Sequence, residues 1–600
     1  MDRTAWIVVT LCTVALIAYF VTAPQPPPPQ RTAPPVTAPG AADDRAAPGV
    51  EGVAGREPAL SAPAVEEMLA VLRNDVATYT FTNLGGGLRS VELLAHKGDY
   101  GGLVTLNEHG RAPIGALSRI AGEPEEALAY AVVAGGEGTA SITYEAVTPE
   151  NLTVRKTYTI RRTGDDAQDS VVEMDLELRN QSEAPVTSTD YFVYAGALGE
   201  LMANDFVKPS VCWFADGSAE EEDIGYFGDS KILFFRTGSG KSMLVKQMPD
   251  IRWAGVHNQF FATLLSPADP LLGEVWGGRS PVTVPFPEAE EGTVFYAAEG
   301  GLGLPARKVE VAETLPYHFE IYAGPRSYTK LASLGNQRAE VMFYGWFRVI
   351  SQVLMRMLVA IEAWVGNYGI AIMIITVIIR IVLWPLYSKS QRTMKRMALL
   401  SPKMTELREK YKDNPQKQQQ ELMALYKDYG VNPFGGCFPM LLQIPIFFGF
   451  YRMLQSAVEL RGENFLWVRD LAAPDTVATF PGTDFPINPL PILMGLTMVL
   501  QMAIAPKSGD KTQQRMFMFM PIIFLVICSN FASGLSLYWT TQNIFSIGQT
   551  WLAQRAPEPA LEKKKPKQPL PPPGAAKRKT AKPKPARTGG GGARSAKKKP

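Results

Sequence analysis

Apolar and polar positions follow two different periods in this chain. From about Glu66 to Leu334, short runs alternate in steps of two. Ala77–Thr82 leads into Gly85-Gly86-Gly87, Leu152–Ile160 into Arg162-Thr163-Gly164, and Val171–Leu178 into Asn180. Period-two runs closed by turn residues predict an antiparallel β-sandwich. From Val341 the spacing becomes helical. Phe343–Val365 is amphipathic, with Arg348 and Arg356 among Trp346, Phe347, Leu354 and Leu358, which predicts a helix lying in a membrane interface. Five apolar runs follow: Tyr368–Tyr387, Phe434–Leu454, Asn488–Ala505, Met516–Ser529 and Ser533–Leu552. About 20 apolar residues cross a ~30 Å hydrocarbon core, so these are expected spans. The fourth is short, which implies a thinned bilayer or a buried position.

Trp6–Val21 is one more apolar run, preceded only by the charges of Asp2 and Arg3. It reads either as a cleaved signal peptide or as an uncleaved anchor. Pro24 directly after Val21-Thr22-Ala23 counts against cleavage and favours the anchor. A Pro/Ala-rich spacer then runs to about Pro63. Between the first two spans, Met394, Met397, Leu400, Met404, Leu407 and Tyr411 recur at helical spacing. Asn414-Pro415 breaks the run, and Leu422, Leu425, Tyr426 and Tyr429 resume it. This predicts a two-helix hairpin, with Pro402 kinking or restarting its first helix. The expected fold is therefore an α-helical polytopic membrane protein with an all-β exported domain. Its parts are an anchor at 1–23, a spacer at 24–63, the β domain at 64–335 and an interfacial helix at 338–366. Spans at 367–388, 432–455, 488–505, 516–530 and 533–552 are joined by the hairpin at 389–431, a connection at 456–487 and a link at 506–515, before a tail at 553–600.

Charge supplies the topology. Ser388–Val431 holds ten Lys/Arg, the 455–487 connection holds Arg461 and Arg469, and the short link holds Lys507, Lys511 and Arg515. The positive-inside rule puts hairpin, link and tail in the cytoplasm, with the β domain outside and both termini inside. The net charge of +2 hides a split, since Ala553–Pro600 alone carries 15 Lys/Arg against Glu558 and Glu562. Its Pro, Gly and Lys content forbids a core. Clusters at Lys563, Lys564, Lys565, Lys577, Arg578, Lys579, Lys597, Lys598 and Lys599 suit an anionic partner, either ribosomal RNA or acidic lipid.

One residue carries most of the candidate chemistry. Arg380 sits deep in the first span, where a charge costs at least about 2.5–3.5 kcal/mol on insertion scales. Thr376 shares its helix face. The later spans hold no acidic residue, and Gln443, Gln501, Gln542 and Asn543 are the available polar neighbours. An arginine among amides argues for a wet cavity, against the alternative of a side chain snorkelling past Trp384-Pro385 to the headgroups. Pro439, Pro445, Pro489, Pro491 and Pro521 interrupt the other spans, as membrane helices often tolerate. The four cysteines show no disulfide or metal spacing, and His96, His109, His257 and His318 show none for a metal. Thr237-Gly-Ser-Gly-Lys241-Ser242 has Phe235 where a phosphate loop needs its first glycine, so it reads as a hairpin turn. No catalytic group and no cofactor are expected.

Asn432-Pro-Phe-Gly-Gly-Cys-Phe-Pro-Met440 with Gln443-Ile-Pro-Ile-Phe447 resembles the second core span of the YidC/Oxa/Alb insertase family. Thr376–Arg380 with Pro385 resembles its first. Pro491–Gly495, Phe519-Met520-Pro521, and Ser533-Gly534-Leu535 with Tyr538-Trp539 and Asn543 resemble the rest, in order, over about Phe343–Gln554. The exported β domain points to the Gram-negative form and resembles that family's β-supersandwich, related in fold to sugar mutarotases. The resemblance implies a membrane protein insertase and chaperone of the bacterial inner membrane, working alone or with the Sec translocon on nascent membrane proteins. Arg380, Thr376, Gln443 and Asn543 would line a hydrophilic substrate groove. Ile444, Pro445, Tyr538 and Trp539 match a greasy slide for the substrate's apolar helix, although Trp539 stands where the family often has tyrosine. Long basic tails in some members dock ribosomes. A transporter or channel, or an envelope enzyme acting on glycans, are the competing classes. Ionisable residues deep in several spans would mark a transporter, and only Arg380 lies deep.

Overall fold

The computed structural model describes residues 66–557 and Lys563, apart from 124–127, 150, 189–190, 203–204, 229, 233–234, 239, 284–285, 287–292, 433–437, 480–485 and 505–510. The expected anchor, the spacer and every tail cluster residue except Lys563 lie outside the described residues.

Leu69–Pro325 is antiparallel β structure. A nine-stranded sheet runs in the order 218–223, 210–215, 253–257, 261–267, 314–325, 171–180, 152–160, 141–147, 131–135. It packs on a five-stranded sheet ordered 244–251, 271–282, 295–304, 191–198, 117–118. A four-stranded meander, 69–73, 77–82, 87–97 and 103–106, adds to the same core. Side chains obey the period of two. Met174, Leu176 and Leu178 are buried while Asp175 and Glu177 face out. The same alternation carries Lys156 inward, between Val154 and Tyr158. Its ammonium donates to the carbonyls of Gly85 (2.8 Å) and Gly86 (3.3 Å) and sits over the Tyr130 ring. Burial lowers its pKa to about 7. Gly86, at φ +54°, lies so close under that ring that a Cβ would come within 2.6 Å of it.

Eight helices of more than one or two turns follow among the described residues. They are α1 (Arg348–Val365), α2 (Tyr368–Val382), α3 (Trp384–Lys410), α4 (Pro415–Tyr429), α5 (Phe438–Ser456), α6 (Pro489–Ile504), α7 (Lys511–Cys528) and α8 (Ser533–Arg555). α1 buries Ser351, Leu354, Met355 and Leu358, and leaves Val349, Val353 and Trp364 exposed, as is Trp346 just before it. It approaches α5 closely because Gly449 lacks a side chain there, letting Ser351 Oγ donate to the Gly449 carbonyl at 2.8 Å. α3 and α4 form the expected hairpin around Leu400, Met404 and Val431.

Three expectations about breaks need correction. The run expected as one span at 367–388 is two helices meeting at 63°. Pro385 has no N–H for the Ile381 carbonyl and its ring would collide with it, so α2 stops at Val382. Pro402, expected to kink or restart the hairpin's first helix, does not restart it: it lies within α3, as Pro445 does in α5 and Pro521 in α7. The link expected at 506–515 ends earlier, since α7 has begun by Lys511. Among the described residues no single helix is long and apolar enough to cross a bilayer alone, and α2 with α3 passes only as a bent pair.

The connection between α5 and α6 closes one end of the helical part. Gly534 N–H donates to Leu471 O and Ser533 N–H to Ala473 O, both at 2.9 Å, which satisfies the first amides of α8. Asp475 Oδ2 accepts from Leu490 N–H (2.7 Å) at the start of α6. The β domain docks beside this cap. Arg461 pairs with Asp99 at 2.7 Å, and Gln259 Nε2 donates to the Gln455 carbonyl at 2.9 Å. Ser327 Oγ donates to Glu459 Oε1 at 2.7 Å, and burial raises that carboxyl above its ordinary range.

Arg326, 1% exposed, anchors the junction by donating to Asn258 O (2.7 Å), Gln259 O (3.2 Å) and Val341 O (2.6 Å). Arg326→Leu strands these carbonyls. It is expected to destabilise the purified protein by about 3 kcal/mol, read by denaturant unfolding in detergent, with early proteolysis near residue 340.

Candidate functional site

The helices that carry the site are apolar outside and polar on one inner stripe. On α8, Gln542, Ser546, Gln549 and Thr550 fall at offsets of four, seven and eight, one face of a helix. α2 ends with Arg380 one turn before the break. At the opposite side of that break the first turns of α3 present Tyr387, Ser390, Gln391 and Met394. These faces enclose a hollow of about 380 Å³, completed by Gln443, Ile444 and Phe447 of α5, Gln501 of α6, Phe524 of α7 and Trp539 of α8. Arg380 stands twelve residues along α2 from Tyr368, on the order of 18 Å of rise from the capped end.

Arg380 is 5% exposed. Among the described residues no carboxylate lies within ion-pair distance of it, and its Nε has no hydrogen-bond partner. Its guanidinium lies over the Tyr387 ring, 4.6 Å from the centroid. A chain of neutral groups runs beside it. Tyr387 Oη donates to Gln443 Oε1 (2.8 Å), and Gln443 Nε2 donates to Tyr538 Oη (2.8 Å) and Gln542 Oε1 (3.0 Å). Stabilisation of the charge thus comes from an aromatic face and from polar space, not from a counter-ion.

Of the residues expected in the groove, Arg380 and Gln443 line the hollow together. Thr376 and Asn543 do not. Thr376 is fully buried and its hydroxyl donates to the Ile372 carbonyl (2.7 Å) one turn back on its own helix. Asn543 turns to α6, donating to Thr497 Oγ1 (3.1 Å) and Met494 O (3.4 Å). Thr376 is thus satisfied within its own helix and Asn543 across the seam between α8 and α6. Of the slide residues, Ile444 is 43% exposed and lines the hollow with half-buried Trp539. Trp539 packs between Phe447 (5.0 Å) and Phe524 (4.8 Å). Pro445 is half-buried and outside the lining. Tyr538 is 1% exposed, its ring stacked on Phe450 at 4.3 Å.

Sequence reasoning missed Tyr387, Ser390, Gln391 and Met394, because they were assigned to the hairpin and the span end, and the 63° break that folds α3 over the hollow was not foreseen. It also missed Ser546, Gln549 and Thr550, whose helical spacing from Gln542 was a usable signal. The base of α3 is tied to α8: Lys395 Nζ donates to Ala553 O, and Gln391 Nε2 to Thr550 Oγ1 (3.5 Å). Of the tail clusters, Lys563 is exposed and 3.7 Å from Asp428 at the end of α4.

Two family models match, and they meet near α1. One, the YidC periplasmic domain, matches residues 70–357, and the other, the 60Kd inner membrane protein, matches 360–560. Relatives named membrane protein insertase YidC include one from Pelobacter propionicus, 31% identical over 91% of this chain and 98% of its own. One from Citrifermentans bemidjiense is 32% identical over 80% and 84%. One from Syntrophobacter fumaroxidans is 38% identical over 57% of this chain and 62% of its own length. Among solved structures, an active YidC insertase crystal structure aligns over 81% of this chain and 95% of its own, at 19% identity and a TM-score of 0.34. A galactose mutarotase related enzyme from Lactobacillus acidophilus aligns over 43% of this chain and 97% of its own, at 10% identity and 0.26. The chain belongs to the YidC family of membrane protein insertases, and its β-rich half is that family's periplasmic domain.

Proposed function

We propose that this protein inserts and helps to fold nascent proteins in the bacterial inner membrane, receiving the polar tail of each client in the Arg380 hollow. The observation that carries this is a buried guanidinium with no counter-ion among the described residues, surrounded by amides, hydroxyls and a tyrosine face. The reading takes α2 with the base of α3, α5, α6, α7 and α8 as the five spans, α1 as an interfacial helix, and the residues near 1–23 as a sixth span. The β domain is then periplasmic, and hairpin, tail and both termini are cytoplasmic.

Moving a polar tail across hydrocarbon is costly because its backbone groups lose water. A polar hollow that reaches partway shortens the dry path. Arg380 adds attraction for acidic residues in the tail. The client's apolar helix leaves beside Ile444 and Trp539, at the seam between α5 and α8. Neither nucleotide hydrolysis nor a catalytic group is involved. A Sec translocon, ribosomes and membrane lipids are the proposed partners, with the basic tail contacting ribosomal RNA. A transporter is not favoured, since the relatives are named insertases.

Arg380→Ala is expected to cut insertion of clients with acidic translocated tails at least tenfold, read by protease protection in proteoliposomes, and to affect neutral-tailed clients less. No change with any client sinks the groove mechanism. Asn543→Ala serves as a contrast. It should lower stability by about 1–2 kcal/mol without changing the preference among tails, because its amide bonds α6 and not the hollow. Deleting residues 558–600 should abolish salt-sensitive co-sedimentation with ribosomes. Binding that survives the deletion, or is equal at low and high salt, contradicts the electrostatic role of the tail.

A further inference from the structure

We propose that the glutamine amides of the hollow bind the peptide backbone of the client's tail, so that the site reads polypeptide as such and reads charge separately through Arg380. This rests on the insertase reading above. Five glutamines, Gln391, Gln443, Gln501, Gln542 and Gln549, come from four helices to line one space around Arg380. A primary amide offers two N–H donors and a carbonyl acceptor, the same groups that a peptide unit exposes. Carboxylates or lysines in those places would sort tails by side chain. Amides accept either polarity and fit any sequence.

The five are not equivalent. Gln443 is committed internally, accepting from Tyr387 and donating to Tyr538 and Gln542. It fixes the wall. Gln501 and Gln549 line the hollow, yet their side-chain amides make no hydrogen bond to any described residue. Gln549 is only 9% exposed. An amide held at a cavity wall without an internal partner favours a guest that supplies donor and acceptor. An extended tail does so with each residue, about every 3.3 Å, and each bond made there offsets part of the water its backbone gives up.

The test uses the full-length protein in proteoliposomes and three single-span clients, read by protease protection. One client has an uncharged Ser/Thr-rich tail, one an Asp-rich tail of equal length, and one almost no tail. Gln501→Met combined with Gln549→Met keeps side-chain length and removes both amides. Insertion of the neutral and acidic tails is expected to fall alike, by about tenfold, with the tail-less client unchanged. The corresponding Asn pair should retain most activity. Loss confined to the acidic tail, equal loss of all three clients, or no loss where Arg380→Ala still impairs the acidic tail, each overturns the proposal. The last of these leaves the groove reading standing, whereas indifference to both the Met pair and Arg380→Ala removes the groove itself. Should the double variant not accumulate, Gln501→Met and Gln549→Met are read singly by the same rule, each expected at about threefold.

Discussion

A guanidinium buried without a carboxylate is the constraint around which the helical part is built. A buried arginine normally pairs, because desolvation without compensation is severe. Here, among the described residues, no carboxylate lies within ion-pair distance of it. Compensation has to be distributed: the Tyr387 face, the uncharged hydrogen-bonding groups, and enough room for polar occupants. That requirement sets the shape. Straight, tightly packed helices would leave no hollow. α2 ends early, α3 turns aside by 63°, and the space between them is what Arg380 occupies. The same charge in a close-packed bundle would be a liability, so the looseness of the packing and the position of the arginine belong to one solution.

The opposite end is closed by complementary means. Helix starts leave unsatisfied amides, and burying them requires acceptors. The connection between α5 and α6 provides them for α8 and α6, while the β domain clamps onto that connection through Asp99 on Arg461 and Ser327 on Glu459, and onto the end of α5 through Gln259. Contact with the β domain therefore braces the capped end and leaves the end near α3 free to differ. The asymmetry follows from which helix ends receive partners. In the proposed orientation it gives a machine closed towards the periplasm and accessible from the cytoplasm.

Much of the fold was legible because it rests on periodicity. The alternation at Val171–Leu178 marked a strand, in which Met174 and Leu176 are buried, and helical spacing located the hairpin through Leu400 and Met404. Proline was the less readable signal. Pro385 ends a helix whereas Pro402, Pro445 and Pro521 sit inside helices that continue, and local sequence does not distinguish them, since neighbouring packing decides whether a lost hydrogen bond is tolerated. In the candidate site, Arg380 and Gln443 were readable as polar residues stranded in apolar runs. Thr376 and Asn543 met the same criterion yet turn away. Helical phase alone gives the face a residue occupies, not which neighbour that face meets.

α8 shows why the site could be found only in part. Its apolar residues do not form one clean stripe, because the helix must satisfy three surroundings at once. Leu535, Leu537 and Tyr538 pack inward near the capped end, and Asn543 bonds α6. Gln542, Ser546, Gln549 and Thr550 face the hollow, while Ile544, Trp551 and Leu552 are exposed. A helix with that division reads as weakly amphipathic by any single-period measure, although each sector is sharply defined. The polar sector becomes recognisable once Arg380 is placed, since a buried charge needs polar neighbours at its own depth. Gln542 to Thr550 is the stretch of α8 that reaches it. The arginine and the polar stripe thus explain each other: neither is stable in hydrocarbon alone, and together they define a space that favours a polar chain.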